Sequence, residues 1–588
     1  MKKNKNILIT TSLKQTWGKN KLFFLGYWCQ NRGNFKNLKR NNYEISKYNW
    51  DDRKKFLEDY KYLNKLYSKV LNNLSIFLNN VHNVNYSLRY WKILIGPWLI
   101  TFLQISFERY TNLSFFFKNQ KNKNFETIIL KIRSEKILPN TYEEFSRLIL
   151  SDTWNHYFYS QLIEYKKFNF KINKNYKKFN NEEKFEEYIE NKKSKKNILY
   201  NFTVNLIESL FTKPKLLFSE SYLGYKYDIR LVFKYFNFPR LSVGTSTTPN
   251  NKKTNLRNKK MNIKTMNVFE EFIKDHLIEF MPKSFLENYV FIGKQSKNMF
   301  WPKSPKIIFT SHFMTKTLQS RYTADCIETQ NTKLILGQHG GVYGQYLFSS
   351  MENYELDICD KYLSWGWKYK NNKKIIPFGM IKDLKEIQYN NKNSNLLMIL
   401  RSQPRYTHRL NSYSGTNQIR RYYLENINLC KNLDKNIVKN DLIIRLHSRK
   451  FGWDEDKFFK KKFESAKIDL GYKKIQELFS SAKLVLHTYI GTGYLETLYQ
   501  NIPTVIYANL NDCLLNKQTL DSLKFLKKAK IFHDDYKSAA KFINSNWNNI
   551  NEWWNSDICK KARKKYCSYY AKDNRHKIAS LNHIIKSI

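Results

Sequence analysis

The sequence predicts an α/β protein: two Rossmann-like, doubly wound units facing a cleft, with a large helical insertion in the N-terminal half. Short apolar runs alternate with helical periodicity through the second half, which implies parallel strands joined by right-handed crossovers. At 588 residues the chain is too long for one core. The residues that carry chemistry fall just after the apolar runs, at the strand ends where open parallel sheets hold ligands. The expected division is an acceptor-side unit over 1–385 with the insertion at about 51–200, a nucleotide-side unit over 386–540, and helices over 541–588 that pack back across the domains.

The first strand is expected at 6–11, running into a hydroxyl-rich loop that ends Thr16-Trp17-Gly18. The G-x-G-x-x-G phosphate fingerprint is missing there, so Thr10, Thr11, Thr16 and Trp17 are read as meeting a sugar or other acceptor rather than a dinucleotide. Residues 51–117 carry apolar positions at threes and fours, a helical pattern. Gly96-Pro97 is expected to end or kink a helix within it, and 93–107 is too short for a bilayer span and reads as a buried helix. His156 reads as a packing residue. Residues 166–197, dense in Lys, Asn and Glu, read as a solvated helix or loop. A buried strand at 215–218 would deliver Glu220 to the crevice, and the polar stretch 245–265 reads as a flexible loop that closes over it.

The second half centres on an apolar run at 333–337 that breaks into Gln338-His339-Gly340-Gly341-Val342-Tyr343-Gly344. Adjacent glycines permit positive φ or close approach of another backbone. A histidine held on such a turn is suited to proton transfer near neutral pH. Strands at 306–310 and 360–367 flank this run, and 375–379 reads as a connector between the units. In the C-terminal series, a strand at 395–400 ends in Arg401-Ser402-Gln403-Pro404-Arg405, and one at 441–444 runs into Arg445-Leu446-His447. A third, at 484–487, precedes Thr488, Gly491, Thr492 and Gly493 and then a helix carrying Glu496. Hydroxyls and backbone N–H groups at a helix start suit a phosphate, and arginine adds charge-assisted donors. Glu496, one turn inside, is positioned to accept from ribose hydroxyls.

The formal net charge of +52 normally points to a polyanion partner. Lys, Asn, Ile, Tyr and Phe are abundant together, however, as in the products of AT-rich genomes, and no element interleaves basic and aromatic residues as a nucleic-acid module does. A basic nucleic-acid-binding protein is therefore the weakest reading. Seven scattered cysteines without C-x-x-C argue for a reducing, cytoplasmic setting and against structural zinc. No signal peptide is expected, and a basic surface rich in Tyr and Trp suits peripheral contact with the inner membrane.

Six segments occur in one order: Thr10-Thr11 with Thr16-Trp17-Gly18, Arg89-Tyr90-Trp91 with Gly96-Pro97-Trp98, Gly337-Gln338-His339-Gly340-Gly341 with Tyr343-Gly344, Trp365-Gly366-Trp367, Arg445-Leu446-His447, and Gly493-Tyr494-Leu495-Glu496-Thr497. Together they resemble a family of transferases encoded in bacterial surface-carbohydrate (O-antigen and related) clusters. More distantly, the layout is similar to GT-B capsule glycosyltransferases and CDP-polyol phosphotransferases. In the latter a Trp-His-Gly or Gln-His-Gly turn supplies the base, and His339 is the matching position here, with an extra glycine after it.

The resemblance implies transfer of a sugar from a nucleotide-sugar donor to a growing glycan or lipid-linked acceptor, with no cofactor and no metal. Arg401, Arg405, Arg445, His447, Thr488, Gly491, Thr492, Gly493 and Glu496 would hold the donor. His339, with Glu220 in reserve, would be the base, and Thr10, Thr11, Thr16, Trp17, Gln338, Gly340, Gly341 and Tyr343 would face the acceptor. Polyol-phosphate transfer on the same scaffold is the alternative.

Overall fold

The computed structural model describes residues 6–30, 42–121, 123–180, 193–211, 216–245, 255–312, 316–387, 394–413 and 415–588. They form three all-parallel sheets. The first has the order β3-β2-β1-β4-β5, from Tyr43–Ile45, Leu22–Phe24, Asn6–Ile9, Phe125–Lys131 and Ile172–Lys178. The second adds strands in sequence, β6 (Leu216–Ser219), β7 (Ile307–Thr310), β8 (Lys333–Gly337), β9 (Lys361–Ser364) and β10 (Ile375–Pro377). The third runs β13-β12-β11-β14-β15-β16, from Lys467–Asp469, Leu442–Arg445, Asn395–Ile399, Ala482–His487, Thr504–Tyr507 and Phe532–His533.

The order in which strands are added reverses in the first sheet beside β1 and in the third beside β11, the doubly wound arrangement with a crevice at the reversal. In β11, Leu396 and Met398 enter one core while Leu397 and Ile399 enter the other, so both faces are covered and the strand reads as a continuous apolar run. The first two sheets share one core.

The helices used below are α1 (Arg53–His82), α2 (Leu88–Asn119), α3 (Asp152–Glu164), α4 (Lys193–Phe211), α5 (Tyr225–Tyr235), α6 (Ser350–Ile358), α7 (Gly493–Tyr499), α8 (Asp557–Tyr570) and α9 (Lys577–Lys586). Helix α2 continues past Pro97, so the helix does not end there. The proline leaves the Ile93 carbonyl without its helical donor, and the Tyr354 hydroxyl supplies one at 3.1 Å. His156 is a core residue whose Nε2 accepts from Leu130 N–H at 3.0 Å. Helices α8 and α9 cross back onto the second sheet: Lys572 N–H donates to the Trp365 carbonyl at 2.8 Å, and Lys577 Nζ to the Ile381 carbonyl at 3.1 Å.

Four expectations change, the fourth being the solvated helix or loop at 166–197, which contains strand β5. The span 51–200 is more than a helical insertion, because β4 and β5 within it complete a sheet with β1. The lysine- and asparagine-rich β5 lacks an apolar alternation, and its pairing along the whole of β4 fixes it as a strand. The stretch 375–379 contains the edge strand β10, and 255–265 carries the buried Met261 and Ile263, which rules out a free loop there. The rest of that polar stretch, 246–254, lies outside the described residues, as do 181–192 of the solvated segment and Lys215 of the expected strand at 215–218.

Candidate functional site

The loops after β7, β8, β11, β12 and β14 converge on a cavity of about 700 Å³. They deliver His312 and His339 from the second sheet, and Arg401, His408, Arg409, His447 and Arg449 from the third. The remaining wall is aromatic and hydroxylic, and includes Tyr48, Trp50, Tyr142, Tyr413 and Tyr489. No Asp or Glu stands among its described lining residues, and three arginines give the lining a positive character.

The histidines register that potential. Burial, then His312 and Arg409, depresses His339 from an ordinary imidazole value to about 3. Burial and neighbouring cations, Arg409 among them, also lower His312 and His408. Shifted below the ordinary value, all three imidazoles are neutral at pH 7, and an anion entering the cavity would offset the cations and raise them. Arg401 is 7% exposed, with its guanidinium carbon 3.8 Å from the ring centre of Tyr413 and 4.8 Å from that of Tyr422.

The Gln338–Gly344 turn is pinned from behind. Gln338 Oε1 accepts from Trp365 N–H and Trp367 Nε1–H, each at 2.8 Å, while its Nε2 donates to the Gly340 carbonyl at 2.7 Å. The Trp365-Gly366-Trp367 motif thus exists to hold the histidine turn. Gly341 N–H donates to Thr492 Oγ1 across the cleft at 2.9 Å. A Cβ on Gly341 would stand 2.7 Å from the Gly491 carbonyl, so only glycine lets the second and third sheets meet this closely. Gly344 has φ +73°, and a Cβ there would strike Trp367 at 2.3 Å.

His339 leads into a buried relay. Its Nε2 is 3.3 Å from the Tyr343 hydroxyl, which donates to Glu355 Oε1 at 2.7 Å, and Nδ1 lies 3.8 Å from the same Glu355 oxygen. Burial pushes the Glu355 carboxyl up to about 8, so it is protonated at neutral pH.

Among the expected site residues, Arg401, His447, Gly491, Thr492, His339 and Tyr343 line the cavity, and the others do not. Arg405 pairs with Asp152 and donates to the Trp28 carbonyl at 2.7 Å, which ties the β11 loop to the first sheet. Arg445 pairs with Asp469 at the end of the neighbouring strand β13. The Thr488 hydroxyl donates to the Ile399 carbonyl at 2.7 Å, Gly493 packs on the His487 ring, and Glu496 takes Lys382 at 2.5 Å rather than standing open to a ribose. Glu220 is claimed by Lys316 and by Ser242 Oγ at 2.9 Å, in a small side cavity that shares only His312 with the main one. Gln338 and Gly340 support the turn from outside the lining.

The β1 loop is closed. Thr10, Thr11 and Thr16 are each at most 5% exposed, and Thr16 Oγ1 donates to the Leu13 carbonyl at 2.7 Å. Trp17 packs edge-on against Phe24, with ring centres 5.4 Å apart.

Sequence reasoning missed His312, His408, Arg409, Arg449 and Glu355 as site residues. His312 and Arg449 follow strands β7 and β12 within a few residues, so strand ends do mark them. His408 and Arg409 reach the cavity through a long loop, and Glu355 reaches the relay through helix α6, so neither strand ends nor spacing mark them.

A family model described as LIC12162 family transferase matches residues 6–585. No curated protein matches the chain. Among solved structures, MurG from Acinetobacter baumannii is similar at 8% identity and a TM-score of 0.32, covering 64% of this chain and 100% of that one. UDP-GlcNAc 2-epimerase from Neisseria meningitidis, bound to UDP-GlcNAc, is similar at 11% and 0.37, covering 63% and 99%. The wall teichoic acid polymerase TagF is similar at 10% and 0.30, covering 67% and 95%.

Proposed function

This chain belongs to the LIC12162 family of transferases, and from that premise we propose that it moves a sugar from a nucleotide-sugar donor to a glycan or lipid-linked acceptor in bacterial surface-polysaccharide synthesis. One observation carries the reading. Arg401, Arg409, Arg449, His312, His408 and His447 line a single cavity with His339, without a described carboxylate, beside the reversal of strand order at β11. A diphosphate supplies the charge that this lining lacks, and charge-assisted hydrogen bonds from arginine hold it. The aromatic wall of Tyr48, Trp50 and Tyr142 suits the apolar faces of sugar rings on the acceptor side.

In the proposed reaction the acceptor hydroxyl gives its proton to His339 as its oxygen bonds to the anomeric carbon. The bond from that carbon to the donor phosphate breaks, and the electron pair leaves with the nucleotide diphosphate. Arg401, Arg409 and Arg449 neutralise that charge in place. His339 starts neutral, as a base must, and the bound diphosphate raises its affinity for the proton it receives. Tyr343 and Glu355 act as positioning residues that hold the imidazole ring. A base of this kind contributes on the order of 10²–10⁴ in rate.

A thermal-shift screen against CMP-, UDP-, GDP- and CDP-linked donors tests the reading, because a ligand bound only by the folded state raises its stability. One class should raise the melting temperature, and turnover of that donor should release the nucleotide with all its phosphates. Release of CMP from a CDP-linked donor would instead assign polyol-phosphate transfer, with attack at phosphorus. No shift with any donor would overturn the proposal.

A further inference from the structure

Helix α4 is built for two environments. One face packs on the protein: Asn201 donates to the Leu241 carbonyl at 2.9 Å and the Met299 carbonyl at 3.2 Å, Val204 is buried, and Glu208 pairs with the buried Arg240 at 2.5 Å. The other face leaves Leu199, Phe202, Leu206, Ile207 and Leu210 in solvent, with exposures from 39% to 79%. Their spacing of three, four, one and three residues is that of one helical face. Helix α5, joined to α4 where Phe238 N–H donates to Glu208 at 2.7 Å, leaves Tyr225 and Phe233 more than 80% exposed.

The charges around these side chains have one sign. Lys195 and Lys196 on α4, and Lys226, Arg230 and Lys234 on α5, are exposed. The only carboxylates on the two helices are turned away: Glu208 is buried on Arg240, and Asp228 accepts from Ser221 Oγ at 2.6 Å. A cationic face repels a second copy of itself, whereas an apolar stripe flanked by lysines matches the interface of an anionic bilayer.

The packed face of α4, opposite the stripe, adjoins the site. Asn197 of α4 donates to the Ser242 carbonyl at 2.7 Å, Ser242 Oγ donates to Glu220 at 2.9 Å, and both Ser242 and Glu220 line the side cavity walled by His312. We propose that α4 and α5 form a docking face for anionic lipid, with the apolar stripe in the bilayer interface and the lysines on the headgroups. This turns the His312 side of the cavity toward the membrane. Docking itself does not depend on the transfer reading, and only the delivery of a lipid-linked acceptor rests on it.

Flotation of the full chain, without any donor, on vesicles of phosphatidylcholine alone and of equimolar phosphatidylcholine and phosphatidylglycerol tests the docking. The wild type should float with the anionic vesicles only, and salt should release it. The L206E/L210E pair, on residues that touch solvent, should lower partitioning about tenfold or more while keeping the wild-type circular dichroism. Amides on α4 of the wild type should also gain exchange protection only when anionic vesicles are present. Equal binding to neutral vesicles, or unchanged binding by L206E/L210E, would overturn the proposal. So would a wild-type dimer in gel filtration that L206E/L210E dissolves, since a second copy would then cover the stripe. A protein that floats as expected yet binds no nucleotide donor would refute the transfer reading and leave docking standing.

Discussion

The order in which strands are added reverses in the first sheet beside β1 and in the third beside β11, and the cavity lies at the second of these reversals. At β11 the strand-end loops place Arg401, Arg409 and Arg449 in the cavity lining. At β1 the equivalent position is filled by the protein's own anion. Asp152, at the start of α3, accepts from Ser12 N–H at 3.0 Å and Ser12 Oγ at 2.9 Å, and also takes Arg405 and the Tyr406 hydroxyl. Burial alone would raise that carboxyl, but Arg405 and the hydrogen bonds hold it below the usual range. One crevice is plugged by a carboxylate, and the other is lined by three arginines with no carboxylate among its described lining residues, so topology locates both while their charges differ.

Breaking the plug should have the largest effect. D152A leaves Arg405 buried without its carboxylate and should cost about 3–5 kcal/mol in chemical denaturation, with the loop after β11 loosened from the first sheet. Removing charge from the open crevice should act on binding instead. R409Q and R449Q, on exposed side chains, should each weaken donor affinity roughly tenfold or more with little change in stability, as calorimetry would show.

The relay behind His339 should appear in the pH dependence of stability. The Glu355 carboxyl binds its proton more tightly folded, up to about 8, than unfolded at about 4.3. Its contribution is therefore present in acid and lost as pH rises through that window. His339 runs the other way: held near 3, below about 6.5 when unfolded, it costs stability as pH falls between those values. E355Q should remove the alkaline decline and leave the acid one, read as melting temperature against pH. The smallest effect is expected in the plugged crevice, where T16A loses one hydrogen bond worth about 1 kcal/mol and should leave the acceptor KM unchanged.

The sequence made the third sheet legible because apolar runs such as 395–400 and 484–487 are continuous, as strands buried on both faces must be. Lysine-rich β5 offers no such run, so this edge of the first sheet stayed hidden although its first strand was expected. For the site, strand ends led to Arg401, His447, Thr492 and His339, which line the cavity. They also led to Arg405, Arg445 and Glu496, whose charges are spent on Asp152, Asp469 and Lys382. Partners that lie 253, 24 and 114 residues away decide whether an arginine or glutamate faces a ligand, and local spacing does not reveal them.

The central claim is that the cationic cavity holds the donor while His339 takes the acceptor proton. It is tested most directly by measuring donor binding and transfer in parallel on H339A. Removing a neutral imidazole from a wall of arginines should leave donor affinity near that of the wild type and lower the transfer rate by on the order of 10²–10⁴. Turnover unchanged from the wild type, with the donor still bound, would contradict it.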